Sequence, residues 1–184
     1  MESGFALFET KIGLCGLAWS GRKVRGLQLP EPSEHRALRA LKGRFPDLDD
    51  AAPPSWVVAV IEAVTAFLAG STEIDLSWIP IDLQSVGDWE RNVYQAALDI
   101  PVGSTITYGT MAARLGDPGK ARAVGNALGR NPWPIIVPCH RITAAAGRLG
   151  GFSAPGGTAT KLKLLEIEGA SAVEALPLFA TADD

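Results

Sequence analysis

Three short apolar runs stand at the head of this chain, over residues 5–10, 13–19 and 24–29, parted only by Lys11-Ile12-Gly13 and Ser20-Gly21-Arg22. Such short breaks read as turns of an antiparallel sheet, since a parallel pair needs a crossover of a dozen residues or more. The period then changes. Residues 34–44 set Ala37, Leu38 and Leu41 at helical spacing, and residues 55–68 form an apolar helix opened by Pro53-Pro54-Ser55 and closed at Gly70. An extended passage at 79–83 leads to further helices over 88–98, 107–115, 120–130 and 158–168. Strands first and helices afterwards place the chain in the α+β class. A boundary is expected near residue 85, giving segments 1–85, 86–170 and a frayed tail, 171–184.

The 184 residues are 47% hydrophobic and 20% charged, enough to bury a core. The net charge of −3 argues, taken whole, against a polyanionic partner. Its distribution reverses that: residues 1–85 carry eight basic and eleven acidic groups, 86–169 carry nine and six, and 170–184 carry three acids. A mildly basic half is thus embedded in an acidic protein. Cys15 and Cys139, with only His35 and His140 beside them, make neither a disulfide framework nor a zinc site, so no metal is expected. The longest apolar stretch, 56–68, is broken by Glu62, and no basic-then-apolar leader opens the chain. No membrane association and a cytoplasmic location are expected.

Two constellations could carry chemistry. In Pro138-Cys139-His140-Arg141, a thiol becomes a nucleophile only as thiolate, and a neighbouring base is the usual route to one. Adjacent side chains on a strand point to opposite faces, so the pair needs a turn or a bridging water. A buried inert cysteine beside a surface histidine is the alternative. The second constellation is the pair of helices 107–115 and 120–130, joined by Gly116-Asp117-Pro118-Gly119 as in a helix-turn-helix. The second helix holds Ala121, Ala123, Gly125, Ala127 and Gly129, with Arg122 in its first turn. Each glycine costs about 1 kcal/mol relative to alanine. A smooth helix can press into a narrow groove, but small residues serve tight helix packing equally well.

Taken together, Ala121-Arg122-Ala123-Val124-Gly125, Gly129-Arg130-Asn131-Pro132, Ile136-Val137-Pro138-Cys139-His140-Arg141, Gly150-Gly151-Phe152-Ser153 and Lys161 to Glu168-Gly169 resemble the O6-alkylguanine-DNA alkyltransferases, the bacterial constitutive type in particular. That resemblance runs from about Val86 to Ala170, and more weakly through Phe8-Glu9-Thr10 and Gly13-Leu14-Cys15-Gly16. It implies a small ribonuclease-H-like α/β domain over 1–85 and a mainly helical DNA-binding alkyltransferase domain over 86–170. It further implies DNA repair by direct reversal: a guanine alkylated on O6 is flipped out of duplex DNA and its alkyl group moves irreversibly to the protein. Cys139 would be the acceptor, His140 the base acting through a water, and Glu168 the group that orients it. Asn131 would hold the turn into the active-site strand. Tyr108 would crowd the target phosphate and donate to guanine N3, and Arg122 would fill the stack. Ala121, Gly125 and Asn126 would face DNA; Ile142, Gly151, Phe152 and Ser153 would line the substrate pocket. Phe152 stands where some relatives carry tyrosine, so it can only line the pocket. No cofactor is implied, and a monomer is expected.

Three rival readings compete for the same residues. An alkyltransferase-like lesion binder lacks the cysteine present here. A cysteine hydrolase using Cys139, His140 and Glu168 has no need of a groove-fitting helix. A transcription factor would need more base-reading side chains than Arg122 and Asn126.

Overall fold

A computed structural model describes residues 2–170; the tail expected at 171–184 lies outside the described residues. Strands β1 (Ser3–Thr10), β2 (Gly13–Ser20) and β3 (Lys23–Gln28) form an antiparallel meander in that order. Thr10 pairs with Gly13 and Ser20 with Lys23, so two-residue connections set both registers. An irregularity between Ala18 and Trp19 bends the central strand. β2 is buried from Cys15 through Trp19, which explains its nearly unbroken apolar run. Cys15, Leu17 and Trp19 join the main core, while Ala18 packs with Phe5, Leu41, Phe45 and Leu48 on the opposite face.

Helix α1 (Glu34–Arg44) is capped by Ser33, whose hydroxyl accepts the Arg36 N–H, and buries Ala37 and Leu41. Helix α2 (Ser55–Leu68) buries Val57, Val60, Val64, Phe67 and Leu68, one face at helical spacing. The passage expected at 79–83 runs alongside β3: Val24 N–H donates to the Pro80 carbonyl at 2.7 Å, and the Val24 carbonyl accepts the Asp82 N–H at 3.3 Å. Helix α3 (Asp88–Leu98) follows and buries Val93, Tyr94 and Ala97. The main core gathers residues of β2, α2 and α3 with Met111, Val124, Trp133 and Cys139, so buried packing runs without a break past residue 85.

The helix-turn-helix consists of α4 (Tyr108–Arg114) and α5 (Ala121–Leu128). Both are shorter than expected: Thr107 caps α4, and a 3-10 turn at Pro118–Lys120 precedes α5, with Asp117 accepting the Gly119 N–H. Two short strands, β4 (Ile106–Thr107) and β5 (Ile142–Thr143), pair in parallel, and α6 (Gly157–Ile167) closes the described chain. One expectation is corrected. The active-site strand before Cys139 is instead a tight turn, with Pro134 bridged to Val137 and Ile135 at φ 75°. Its apolar β-branched residues suggest a strand, but Pro134 has no N–H to give, and Val137 donates back to the Trp133 carbonyl at 2.7 Å.

Candidate active site

Cys139–Arg141 form a 3-10 turn between this tight turn and β5. Cys139 N–H donates to the Val137 carbonyl at 2.8 Å, and Arg141 N–H to that of Pro138 at 3.0 Å. A 3-10 turn has three residues per turn, so consecutive side chains fan out to different sides. Cys139 is turned to two cavities, while His140, fully buried, lines neither.

Behind the thiol lies a buried charge network. His140 Nε2 is 2.8 Å from Glu168 Oε1. Arg141 donates to the same carboxylate through Nε at 2.9 and 3.1 Å and through Nη2 at 2.8 Å, and its Nη1 reaches the Ile100 carbonyl at 2.6 Å. Gly103 N–H supplies a further bond to Oε2 at 3.2 Å. Burial alone would raise the Glu168 pKa, but the hydrogen bonds and charges of His140 and Arg141 outweigh it and bring it down to about 2. Burial pushes the His140 pKa below its ordinary value against the pull of Glu168, so the imidazole is neutral at pH 7. Its Nδ1 has no hydrogen-bond partner among the described residues. With Nε2 donating to Glu168, Nδ1 is the nitrogen free to accept a proton.

Burial pushes the Cys139 thiol up as well, opposed by the nearby Asn131 amide, the positive charge of Lys161 and backbone N–H groups. The resting site therefore holds a thiol, with thiolate-stabilising groups already around it. Lys161 is wholly buried; its Nζ donates to the Ile142 carbonyl at 2.5 Å and sits 5.6 Å from the Tyr108 ring centroid. Burial lowers its pKa to about 8.

The cavity on the helix-turn-helix side, about 920 Å³, is lined by Tyr108, Ala121, Arg122, Gly125, Asn126, Gly151, Phe152 and Ser153 together with Cys139. Arg122 and Asn126 are exposed on α5. Tyr108 opens α4 and donates to the Gly151 carbonyl at 3.2 Å. Gly150 lets it settle there: a Cβ at that position, φ 74°, would stand 2.9 Å from the tyrosine ring. Ser153 Oγ donates to the Gly129 carbonyl at 2.8 Å, tying the 147–157 loop to the end of α5. A second cavity, about 680 Å³, opens from Cys139 past Asn131, Pro134 and Phe152 toward Gln28 and Arg44.

The expected residues thus divide into an inner group, His140 and Glu168, and cavity-lining groups that meet at Cys139. Ile142, expected in the substrate pocket, lines neither cavity; it is wholly buried in β5, its N–H donating to the Cys139 carbonyl and its own carbonyl accepting from Lys161 Nζ. Arg141, Lys161 and Arg148, the last on the rim of the larger cavity, were not singled out by sequence. Arg141 and Lys161 stand at the ends of two quoted motifs, but nothing in their spacing reveals burial. Among the described residues, no group of three or more His, Cys, Asp or Glu side chains is gathered to hold a metal.

Residues 88–170 match the family model described as 6-O-methylguanine DNA methyltransferase, DNA binding domain. The curated methylated-DNA–protein-cysteine methyltransferase of Methanothermobacter thermautotrophicus is 36% identical over 135 residues, 73% of this chain and 74% of its own. Its namesake from Mycobacterium bovis is 42% identical over 127 residues, 68% and 73% of the two chains. Among solved structures, Mycobacterium tuberculosis OGT in complex with DNA matches with a TM-score of 0.70 at 35% identity, over 94% of this chain and 98% of that one.

Proposed function

The chain belongs to the methylated-DNA–protein-cysteine methyltransferase family, the DNA-binding enzymes of O6-methylguanine repair, and on that footing we propose that it removes O6-alkyl groups from guanine by a single irreversible transfer to Cys139. Residues 86–170 carry the reaction, residues 1–85 support them, and the protein acts as a monomer on double-stranded DNA. Helix α5 enters a groove with Ala121, Gly125 and Asn126 against the duplex. The target base rotates out of the stack and Arg122 takes its place, a step costing a few kcal/mol of unstacking and least at a weakened pair. The base enters the cavity lined by Tyr108, Gly151, Phe152 and Ser153, where the backbone of Cys139 and Ser153 reads its edges.

His140 Nδ1 takes the thiol proton through a water while Glu168 holds the imidazole and steadies the charge it gains. The sulfur attacks the alkyl carbon as the C–O6 bond breaks, its electron pair going to the guanine. Tyr108 donates to N3 as the base leaves, and Asn131 keeps the thiolate in place. The product is a thioether, which offers water no carbonyl to attack and no good leaving group, so each molecule acts once.

The observation that carries this reading is the buried Cys139–His140–Glu168 arrangement, with one imidazole nitrogen held at 2.8 Å by Glu168 and the other without a hydrogen-bond partner among the described residues. The test is an intact mass after incubation with a duplex containing O6-methylguanine. A gain of one methylene equivalent, absent in Cys139→Ala, is expected. Tight lesion binding with no mass gain would leave a lesion-binding module instead.

A further inference from the structure

The first segment does more than lie beside the active site, because it is stitched to the loop that carries the thiol. The Pro132 carbonyl accepts two hydrogen bonds from it, one from Leu27 N–H at 2.9 Å and one from Arg44 Nη2 at 3.1 Å. Arg44 Nη1 spans back to the Leu27 carbonyl at 3.3 Å and Gln28 Oε1 at 3.1 Å, and its guanidinium lies 5.2 Å from the Phe45 ring centroid. Trp133 Nε1 donates to the Val24 carbonyl at 2.8 Å. Close approach depends on Gly26, where a Cβ would meet the Phe45 ring at 2.5 Å and the Pro132 oxygen at 3.1 Å.

From Pro132 the contacts continue to the nucleophile. Asn131 Oδ1 accepts the Trp133 N–H at 2.9 Å, closing a turn around Pro132. Asn131 Nδ2 donates at 2.9 Å to the Val137 carbonyl, the same oxygen that accepts Cys139 N–H at 2.8 Å. Arg44 and Cys139 also line the same cavity. We propose that Arg44 is a positioning residue for the thiol, acting through the Pro132 carbonyl, Asn131 and the Val137 carbonyl. Its planar fork serves two strands of contacts at once, which a lysine ammonium on a flexible stem does less well. Leu27 N–H holds Pro132 as well, so Arg44 tightens the linkage instead of creating it.

This inference rests on the alkyl-transfer reading, but its test is independent of DNA. The rate of Cys139 alkylation by iodoacetamide is followed against pH, by peptide mass so that Cys15 is counted separately, in the parent protein, Arg44→Ala, Asn131→Ala and the double variant. Arg44→Ala is expected to move the midpoint up by about half a pH unit and to slow the reaction about threefold at pH 7. In the Asn131→Ala background the same change should add nothing, and Arg44→Lys should restore part of the loss. Arg44→Gln, which keeps much of the stem on Phe45, carries the test if the alanine variant does not fold. An unchanged pH profile with a lowered melting temperature would make Arg44 a packing residue only, and additive effects of the two substitutions would break the proposed chain. A parent protein that reacts with iodoacetamide yet takes no methyl group from DNA would instead overturn the transfer reading.

Discussion

At Glu168 a single carboxylate serves two neighbours in the chain, His140 and Arg141, and that sharing sets how the protein responds to acid. The folded carboxyl is depressed to about 2, so its contribution is full above the unfolded value of about 4.3 and is lost as pH falls toward 2. His140 is also depressed when folded; the unfolded chain takes up its proton first, below about 6.5, so stability begins to fall there. Both groups therefore act in the same direction. Urea midpoints are expected to drop progressively below pH 6.5, and Glu168→Gln should flatten the lower part of that profile. The same change should cost on the order of 3 kcal/mol at pH 7, because Arg141 is left buried without its anion. A variant as stable as the parent at pH 7 would show that the pair is not the main anchor of the turn.

Among the elements, α5 sets one poor helix former, Gly125, among alanines on a smooth, partly exposed face. A Cβ on Gly125 would lie 3.7 Å from the Tyr108 ring, an ordinary contact, so packing does not require glycine there. Gly125→Ala should then raise stability by about 0.5–1 kcal/mol, while Gly125→Leu should keep the fold and weaken duplex binding severalfold. Thermal melts and fluorescence anisotropy with a labelled duplex check the two effects. Undiminished binding by the leucine variant would remove this face from the DNA contact. Much was legible in advance: α1, α2 and α3 begin and end where their periodicity and flanking residues put them. The turn at 133–137 was not, because Ile135, Ile136 and Val137 favour extended backbone, whereas Ile135, buried in the core, stands at φ 75°. Cys139, His140 and Glu168 were legible through their motifs. Arg141 and Lys161 were not, since cations are rarely buried, nor was Arg44, whose carbonyl partner lies 88 residues away.

Over the whole molecule the charge is −3, so on the proposed reading DNA is met by the basic segment 86–169, in which Arg122 and Arg148 line the larger cavity. So few cations neutralise few phosphates. The plot of log affinity against log salt for undamaged duplex should have a slope of roughly −2 to −4. A slope steeper than about −6 would require a cationic surface beyond the helix-turn-helix face. The buried network also has a history in time. A chain is made from its N-terminus, and Arg141 is translated before Glu168, the only carboxylate that joins His140 and Arg141 among the described residues. Until Glu168 has emerged, burying Arg141 would strand a charge, so the turn carrying Cys139 is expected to settle only after it. On the alkyl-transfer reading, the buried network behind the thiol is therefore completed only as the last described segment of the chain is made.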